Sequence, residues 1–366
     1  MTTKTHQTET KVSEIYQRLY ALALEKGPDA QLPTVRVLCE SLATTRVTLR
    51  EALTLLEAEH IIYTKNRQGI FVSPRIYHKS VHILFSSQSF AAPASPFWSM
   101  LWMQLEQEAQ QRANFKNEIC TFHLVKPTDN ADYSIPEAIE TLLQTERADG
   151  VLAIGLQSSE KGMLNGEGLP CVTFAGEGAY TIYLDFAEFG RMATEVLLRQ
   201  NCKRMGWWAY NVPSHPLEKM SNVQTFRQLL QEYKRPLYSE LIRVPHVPPS
   251  RSSLSLQEQG YLLAREVFEG PSSLRPDGLV ISDDMMTDGA LVAFDELGIR
   301  VGHDICVVSH GNTGSPILFG RTKHMTVIEY DPAMLAQAMF STLDMLMAGK
   351  DLEGQTIKIR PQLRQQ

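Results

Sequence analysis

The chain has 366 residues, 43% of them hydrophobic and 21% charged, with a formal net charge of −6. That length exceeds what one hydrophobic core usually organises and implies two or three domains, while the composition argues against a disordered chain or a membrane protein. The acidic total argues against a generally basic nucleic-acid binder. Residues 1–75 nevertheless carry a net +2, from ten Lys and Arg against eight Asp and Glu, which leaves −8 for the remainder.

The opening MTTKTHQTET is polar and lacks the apolar core of a signal peptide. No later apolar run approaches the ~18 residues that span a bilayer, so a cytoplasmic protein without membrane association is expected. Val12, Ile15, Leu19 and Leu22 recur at helical spacing, and Gly27-Pro28 ends that segment. The stretch Leu32 to Ser73 then reads as further helices, the last with a polar leading end, followed by a short hairpin. This last helix should start near Thr45, a hydroxyl residue able to cap exposed N–H groups, with Leu49, Ala52, Leu53 and Leu56 on one buried face. Arg46, Thr48 and Arg50 are left outside, where a planar guanidinium suits phosphate oxygens or a guanine edge. Ile61 to Thr64 and Ile70 to Ser73 are β-prone runs flanking Lys65-Asn66-Arg67-Gln68-Gly69, a turn whose glycine can take positive φ. The pattern is that of a winged helix-turn-helix, mainly α with a β wing, that binds duplex DNA.

Four ordered motifs, LPTVR, TTRVTLREAL, LEAEHII and RQGIFV, resemble the DNA-binding domain of the GntR family. The resemblance implies that Arg36, Thr45, Arg46, Thr48 and Arg50 contact double-stranded operator DNA, with the wing residues Arg67 and Gly69 approaching the groove. Val47 departs from the family pattern, which often has Ser or Thr there, and leaves the base preference open. The competing reading, an amphipathic helix and hairpin of an ordinary domain, accounts for scattered arginines but not for four motifs in register.

The head is expected over residues 1–73 and a short connection over 74–80, too short for a free tether. From Val81 to the end, 81–366, apolar β-rich runs alternate with amphipathic helical segments. VHILFSS, EICTFHL, GVLAIGL, CVTFAG, RMGWWAY, ELIRVP, DGLVIS and DICVVS read as buried strands; helices are expected near 97–113, 136–146, 188–200, 221–233, 256–269, 286–297 and 333–348. Such alternation implies parallel sheets covered on both faces, and so many strands imply two α/β lobes around a cleft. The landmarks SPFWSMLWMQLEQEA, ADGVLAIG, IYLDFAEFGRMATEVLL, DGLVISDDMMTDGALVAFDELGIRVGHDICVVS and TVIEYDPAMLAQAMFSTLDMLMAGK resemble the LacI-type effector domain, similar in turn to periplasmic binding proteins. A GntR-type head on this body is similar to bacterial arabinose-responsive repressors and implies a homodimer.

Ligands of open α/β sheets bind beyond the carboxyl ends of strands, which points to Ser86 and Gln88 after the first strand and to Asp283 and Asp284 after DGLVIS. A carboxylate suits a polyol, and Phe97 and Trp98 suit the apolar face of a sugar or a purine ring. The resemblance further matches Asp284, by its distance from Gly289, to a ligand-binding aspartate and Phe97-Trp98 to effector-contacting aromatics. It places Lys219 within reach of the ligand and Asn222 where an arginine usually stands; His310-Gly311-Asn312 replaces an acidic pair. Against this, either aspartate could simply cap the following helix, and the aromatics could be core.

Cys39, Cys120, Cys171, Cys202 and Cys306 are far apart and never in a CxxC spacing, and the ten histidines include no HExxH, so neither a disulfide framework nor a metal site is expected. There is no nucleophile elbow, Walker loop or GxGxxG after the first strand, which argues against an enzyme and against a cofactor. The sequence therefore describes a DNA-binding regulator released by a small carbohydrate. A purine or other non-sugar effector, or a GntR-headed enzyme, is the alternative.

Overall fold

The computed structural model describes residues 2–74, 76–90, 95–126, 148–156, 169–176, 178–210, 216–246, 254–350, 352 and 356–364. The helix expected near 136–146 lies outside them. In the head, helices α1 (Thr2–Lys26), α2 (Val35–Ser41) and α3 (Arg46–Ala58) precede an antiparallel hairpin of β1 (Ile62–Lys65) and β2 (Gly69–Val72). Leu19 from α1, Leu38 from α2, Leu49, Ala52 and Leu56 from α3, and Ile62 and Val72 from the hairpin form one buried core. Leu53, expected in that core, packs at its partly buried margin. Ile76 is also fully buried there, and β3 (Lys79–Ser86) begins three residues later, so the connection is shorter than the sequence suggests.

The body holds two six-stranded sheets. In the first, β13 (Ile357–Ile359), β7 (Thr181–Leu184), β6 (Cys171–Phe174), β5 (Gly150–Ile154), β3 and β4 (Glu118–Val125) lie side by side in that order, all parallel. In the second the order is β14 (Gln362–Leu363), β12 (Thr326–Tyr330), β11 (Cys306–Asn312), β10 (Gly278–Ile281), β8 (Met205–Trp208) and β9 (Ile242–Arg243); only β14 runs antiparallel. Strands such as Gly150–Ile154 and Gly278–Ile281 are buried at every residue, as parallel strands covered on both faces must be. The covering helices are α4 (Phe97–Phe115), α5 (Phe186–Arg199), α6 (Ser221–Glu232), α7 (Leu256–Glu269), α8 (Asp284–Glu296) and α9 (Pro332–Met347).

The chain crosses between the lobes three times. From β7 it enters α5 through Asp185, whose carboxylate caps the helix by accepting the N–H of Glu188 at 3.2 Å. From β12 it returns through Asp331, which caps α9 by accepting from Ala333 at 2.8 Å, with Pro332 at the first helical position. It crosses last between β13 and β14. The second lobe owes its tight helix pair to two glycines: a Cβ on Gly289 would lie 1.9 Å from the carbonyl of Gln257, and one on Gly260 would lie 2.0 Å from that of Met286.

Candidate nucleic-acid interface and interlobe cleft

The leading end of α3 is built as expected. Thr45 stands at the N-cap with extended backbone, and its Oγ1 accepts the N–H of Thr48 at 3.2 Å. Burial of Leu49, Ala52 and Leu56 turns Arg46, Val47 and Arg50 to solvent. Among the described residues neither Arg46, Arg50 nor Arg67 has an ion-pair partner, whereas Arg36 meets Glu40 one turn on at 3.2 Å with both side chains largely exposed. The wing is held at a fixed place: Glu57 of α3 accepts the N–H of Thr64 at 3.1 Å, and Gln31 donates to the carbonyl of Gln68 at 2.6 Å. Gly69 has φ +120, which side chains rarely adopt, so the turn needs glycine for its conformation. Arg67 itself takes φ 63 at the exposed tip.

Between the lobes lies a cavity of about 320 Å³. The first lobe contributes Phe97, Trp98, Phe174 and Tyr183; Phe186 follows the first crossing, and the second lobe contributes Tyr210, Ser282, Asp283, His310 and Asn312. Phe97, Trp98 and Phe174 form one aromatic wall, with centroids 5.3 to 6.1 Å apart. The second lobe's wall is polar and lies at the carboxyl ends of β10 and β11. Asp283 extends from β10 into the N-cap of α8, accepts the N–H of Met286 at 2.9 Å and faces the cavity as well. Burial, reinforced by neighbouring Asp284, pushes its carboxyl up to about 7 against the pull of the helix N–H groups. Burial alone pulls the His310 imidazole down to about 4, so the ring is neutral at neutral pH. Both His310 ring nitrogens and Asn312 Oδ1 are buried without a hydrogen-bond partner among the described residues, as is the hydroxyl of Tyr330, whose ring packs 5.5 Å from His310. Buried polar atoms left unpaired beside a cavity are groups that a ligand can satisfy.

Of the residues singled out from the sequence, Phe97, Trp98 and Asp283 line this cavity. Asp284 is buried next to it and accepts a hydrogen bond from Ser315 at 3.1 Å; its other carboxylate oxygen has no partner among the described residues, and burial raises its pKa. Ser86 is buried at the end of β3, where its hydroxyl accepts the N–H of exposed Gln88 at 3.3 Å. Lys219 is exposed on a short turn before α6. Asn222 bonds to the next N–H and presses its backbone against Gly190 of α5. These five residues do not line the cavity. His310 and Asn312 do, together with Phe174, Tyr183, Phe186 and Tyr210, which sequence reasoning did not select. The signal for His310 and Asn312 was their place after the strand DICVVS; the four aromatics come from three different strand ends and had none. The described residues include no group of three or more His, Cys, Asp or Glu arranged to hold a metal ion, and no helix long and apolar enough to cross a membrane.

Comparison with known proteins agrees with this two-part construction. Residues 11–72 match the bacterial regulatory proteins of the gntR family, and residues 194–365 match the periplasmic binding protein-like domain. The first match falls on the head and the second on the C-terminal part of the body. Among curated proteins it is similar to the HTH-type transcriptional repressor PurR of Escherichia coli, 27% identical over 176 residues, which are 48% of each chain. It spans about half the length of the curated relatives it matches. Among solved structures, a regulatory protein of the LacI family from Chloroflexus aggregans superposes with a TM-score of 0.61 at 16% identity, covering 77% of this chain and 96% of that one. A LacI family transcriptional regulator from Lactobacillus casei with bound sucrose gives 0.56 at 15% identity, covering 78% and 98%. At these identities the structural likeness concerns the fold.

Proposed function

We propose that the chain is a ligand-responsive transcription regulator, a repressor that binds operator DNA as a homodimer and releases it when a small carbohydrate fills the interlobe cleft. The observation that carries this reading is the union, in one chain, of arginines at the exposed end of α3 with a cleft in which the His310 ring nitrogens and Asn312 Oδ1 are buried, all of them without partners among the described residues. Arg46, Arg50 and Arg67 are the leading DNA contacts, supported by Thr45, Thr48 and the close approach allowed by Gly69. Arg36 can join them because its exposed pair with Glu40 is worth little. In the cleft, Phe97 and Trp98 cover the apolar face of the ligand, while Asp283, His310 and Asn312 bond its edge. The proteins it resembles, a repressor in one case and a sucrose-bound regulator in another, support the assignment.

The coupling is a linkage: if cleft closure changes the spacing of two heads in a dimer, effector and operator depress each other's affinity by the same factor. A purine is the second reading, favoured by Asn312, whose amide can pair with the edge of a base stacked on the aromatic wall. The test is a thermal-shift screen of sugars, polyols, uronic acids and purines, followed by titration of the best ligand into a protein–DNA complex. The expected result is a compound that raises the melting temperature and lowers operator affinity. A chain that binds no duplex, or a cleft ligand without effect on DNA affinity, overturns it.

A further inference from the structure

We propose that Val47 reads the methyl group of a thymine in the major groove, an inference that rests on the DNA-binding reading above. Val47 is the second residue of α3 and is 69% exposed, the most exposed of the large apolar side chains in the head. It does not join the hydrophobic cluster that Leu49, Ala52 and Leu56 form on the opposite side of the helix. On a helix, residues three or four apart share a face, so Val47 stands beside Arg50, and Arg46 lies one turn before Arg50. An apolar branched side chain is thus held in water with Arg46 and Arg50, which have no ion-pair partner among the described residues, on one side and the exposed Glu51 on the other.

This surroundings selects the occupant. The arginines suit an anionic surface, which makes a groove of duplex DNA a better fit than an apolar protein face. Within the major groove, a valine has neither donor nor acceptor to offer a base edge. The one feature complementary to it is the C5-methyl group that thymine alone of the four bases presents. Contact would remove a methyl from water on each side, giving a preference for thymine at one position beside whatever the arginines read. Serine or threonine at this site could bond a base edge instead, so the valine narrows what the helix can read.

The experiment uses the full chain and a duplex selected by it from a randomised library. Each thymine of one half-site is replaced in turn by uracil, which removes only the methyl, and dissociation constants are measured at fixed salt for the wild type, Val47→Ala, Val47→Thr and Arg67→Ala. One thymine should be sensitive, its replacement weakening wild-type binding about fourfold. Val47→Ala should bind the thymine duplex as weakly as the wild type binds the uracil duplex and should no longer distinguish the two. Val47→Thr, which keeps one methyl, should retain part of the difference, whereas Arg67→Ala should weaken both duplexes alike and keep it. Unchanged melting temperatures should accompany these results, since the side chain is exposed. The proposal is overturned if no thymine is sensitive, or if Val47→Ala remains as sensitive as the wild type. Retention of no duplex at all would overturn the DNA-binding reading and this one with it.

Discussion

Asp283 accepts the N–H of Met286 at 2.9 Å, so the carboxylate that faces the cleft is also the cap of α8. Its folded pKa of about 7 lies above the ordinary 3.8, mainly through burial. Folding therefore retains a proton that the unfolded chain releases, and stability should fall as pH rises from about 4 to about 7, then level off. His310 acts oppositely: its pKa falls from 6.5 to about 4, so its contribution is lost as pH drops through that same interval. Asp283→Asn keeps a capping side chain and removes one of the two effects. Relative to the wild type, this variant should gain stability between pH 4 and pH 7, by at most roughly 1.4 kcal/mol per pH unit. Denaturant melts of both proteins across pH 4 to 8 measure the difference; a constant offset would sink the argument.

Asn312 is 2% exposed, and its Oδ1 has no partner among the described residues. An acceptor that the fold leaves unsatisfied costs the free protein about 1 to 3 kcal/mol and is available to a ligand donor. Asn312→Leu should accordingly melt no lower than the wild type, yet need at least about tenfold more of the screened effector for the same response. The opposite pattern, a lower melting temperature with an unchanged effector midpoint, would make the amide a structural group.

Arg112, 3% exposed, joins three elements of the first lobe. It meets Glu118 of β4 at 3.2 Å and Asp344 of α9 at 2.8 Å, and lies 4.3 Å from the Phe340 ring. Glu118 is itself 2% exposed, so deleting the cation would strand a buried carboxylate. Arg112→Ala should cost about 3 to 5 kcal/mol of stability. Chemical denaturation would show this as a lower midpoint, and a loss below 1 kcal/mol would mean that water reaches Glu118.

How far such relations were legible in the sequence depends on what specifies them. The head is encoded locally: the cap at Thr45, the face of Leu49, Ala52 and Leu56, and the glycine of the wing all follow from neighbours a few residues apart. The long buried strands were equally clear. Thr181–Leu184 and Thr326–Tyr330 were not separated as strands from the helices they lead into, and Ile357–Ile359 and Gln362–Leu363 are too short to declare themselves. Their pairing is decided by strands distant in sequence. The cleft shows the same division. Two adjacent aspartates after a strand announce a special position, but only the start of α8 decides that Asp283 takes the cap and the cavity wall while Asp284 turns to Ser315.

Arg46 and Arg50 offer the most direct test of the head. Both project from the exposed end of α3, and neither has an ion-pair partner among the described residues, so replacing either removes a contact without leaving a buried charge behind. Each Ala variant should therefore keep the wild-type melting temperature. If the arginine binds a base edge, the variant should lose on the order of 1 to 3 kcal/mol of operator affinity and relax specificity at one position. If it binds phosphate, affinity should fall across all sequences and the salt dependence should become shallower by about one ion. A dimer presenting two heads should protect two symmetric half-sites, whose spacing reports the distance between recognition helices. Unchanged affinity in both variants at fixed salt, or protection of one isolated half-site by a monomer, would count against α3 as the reading element.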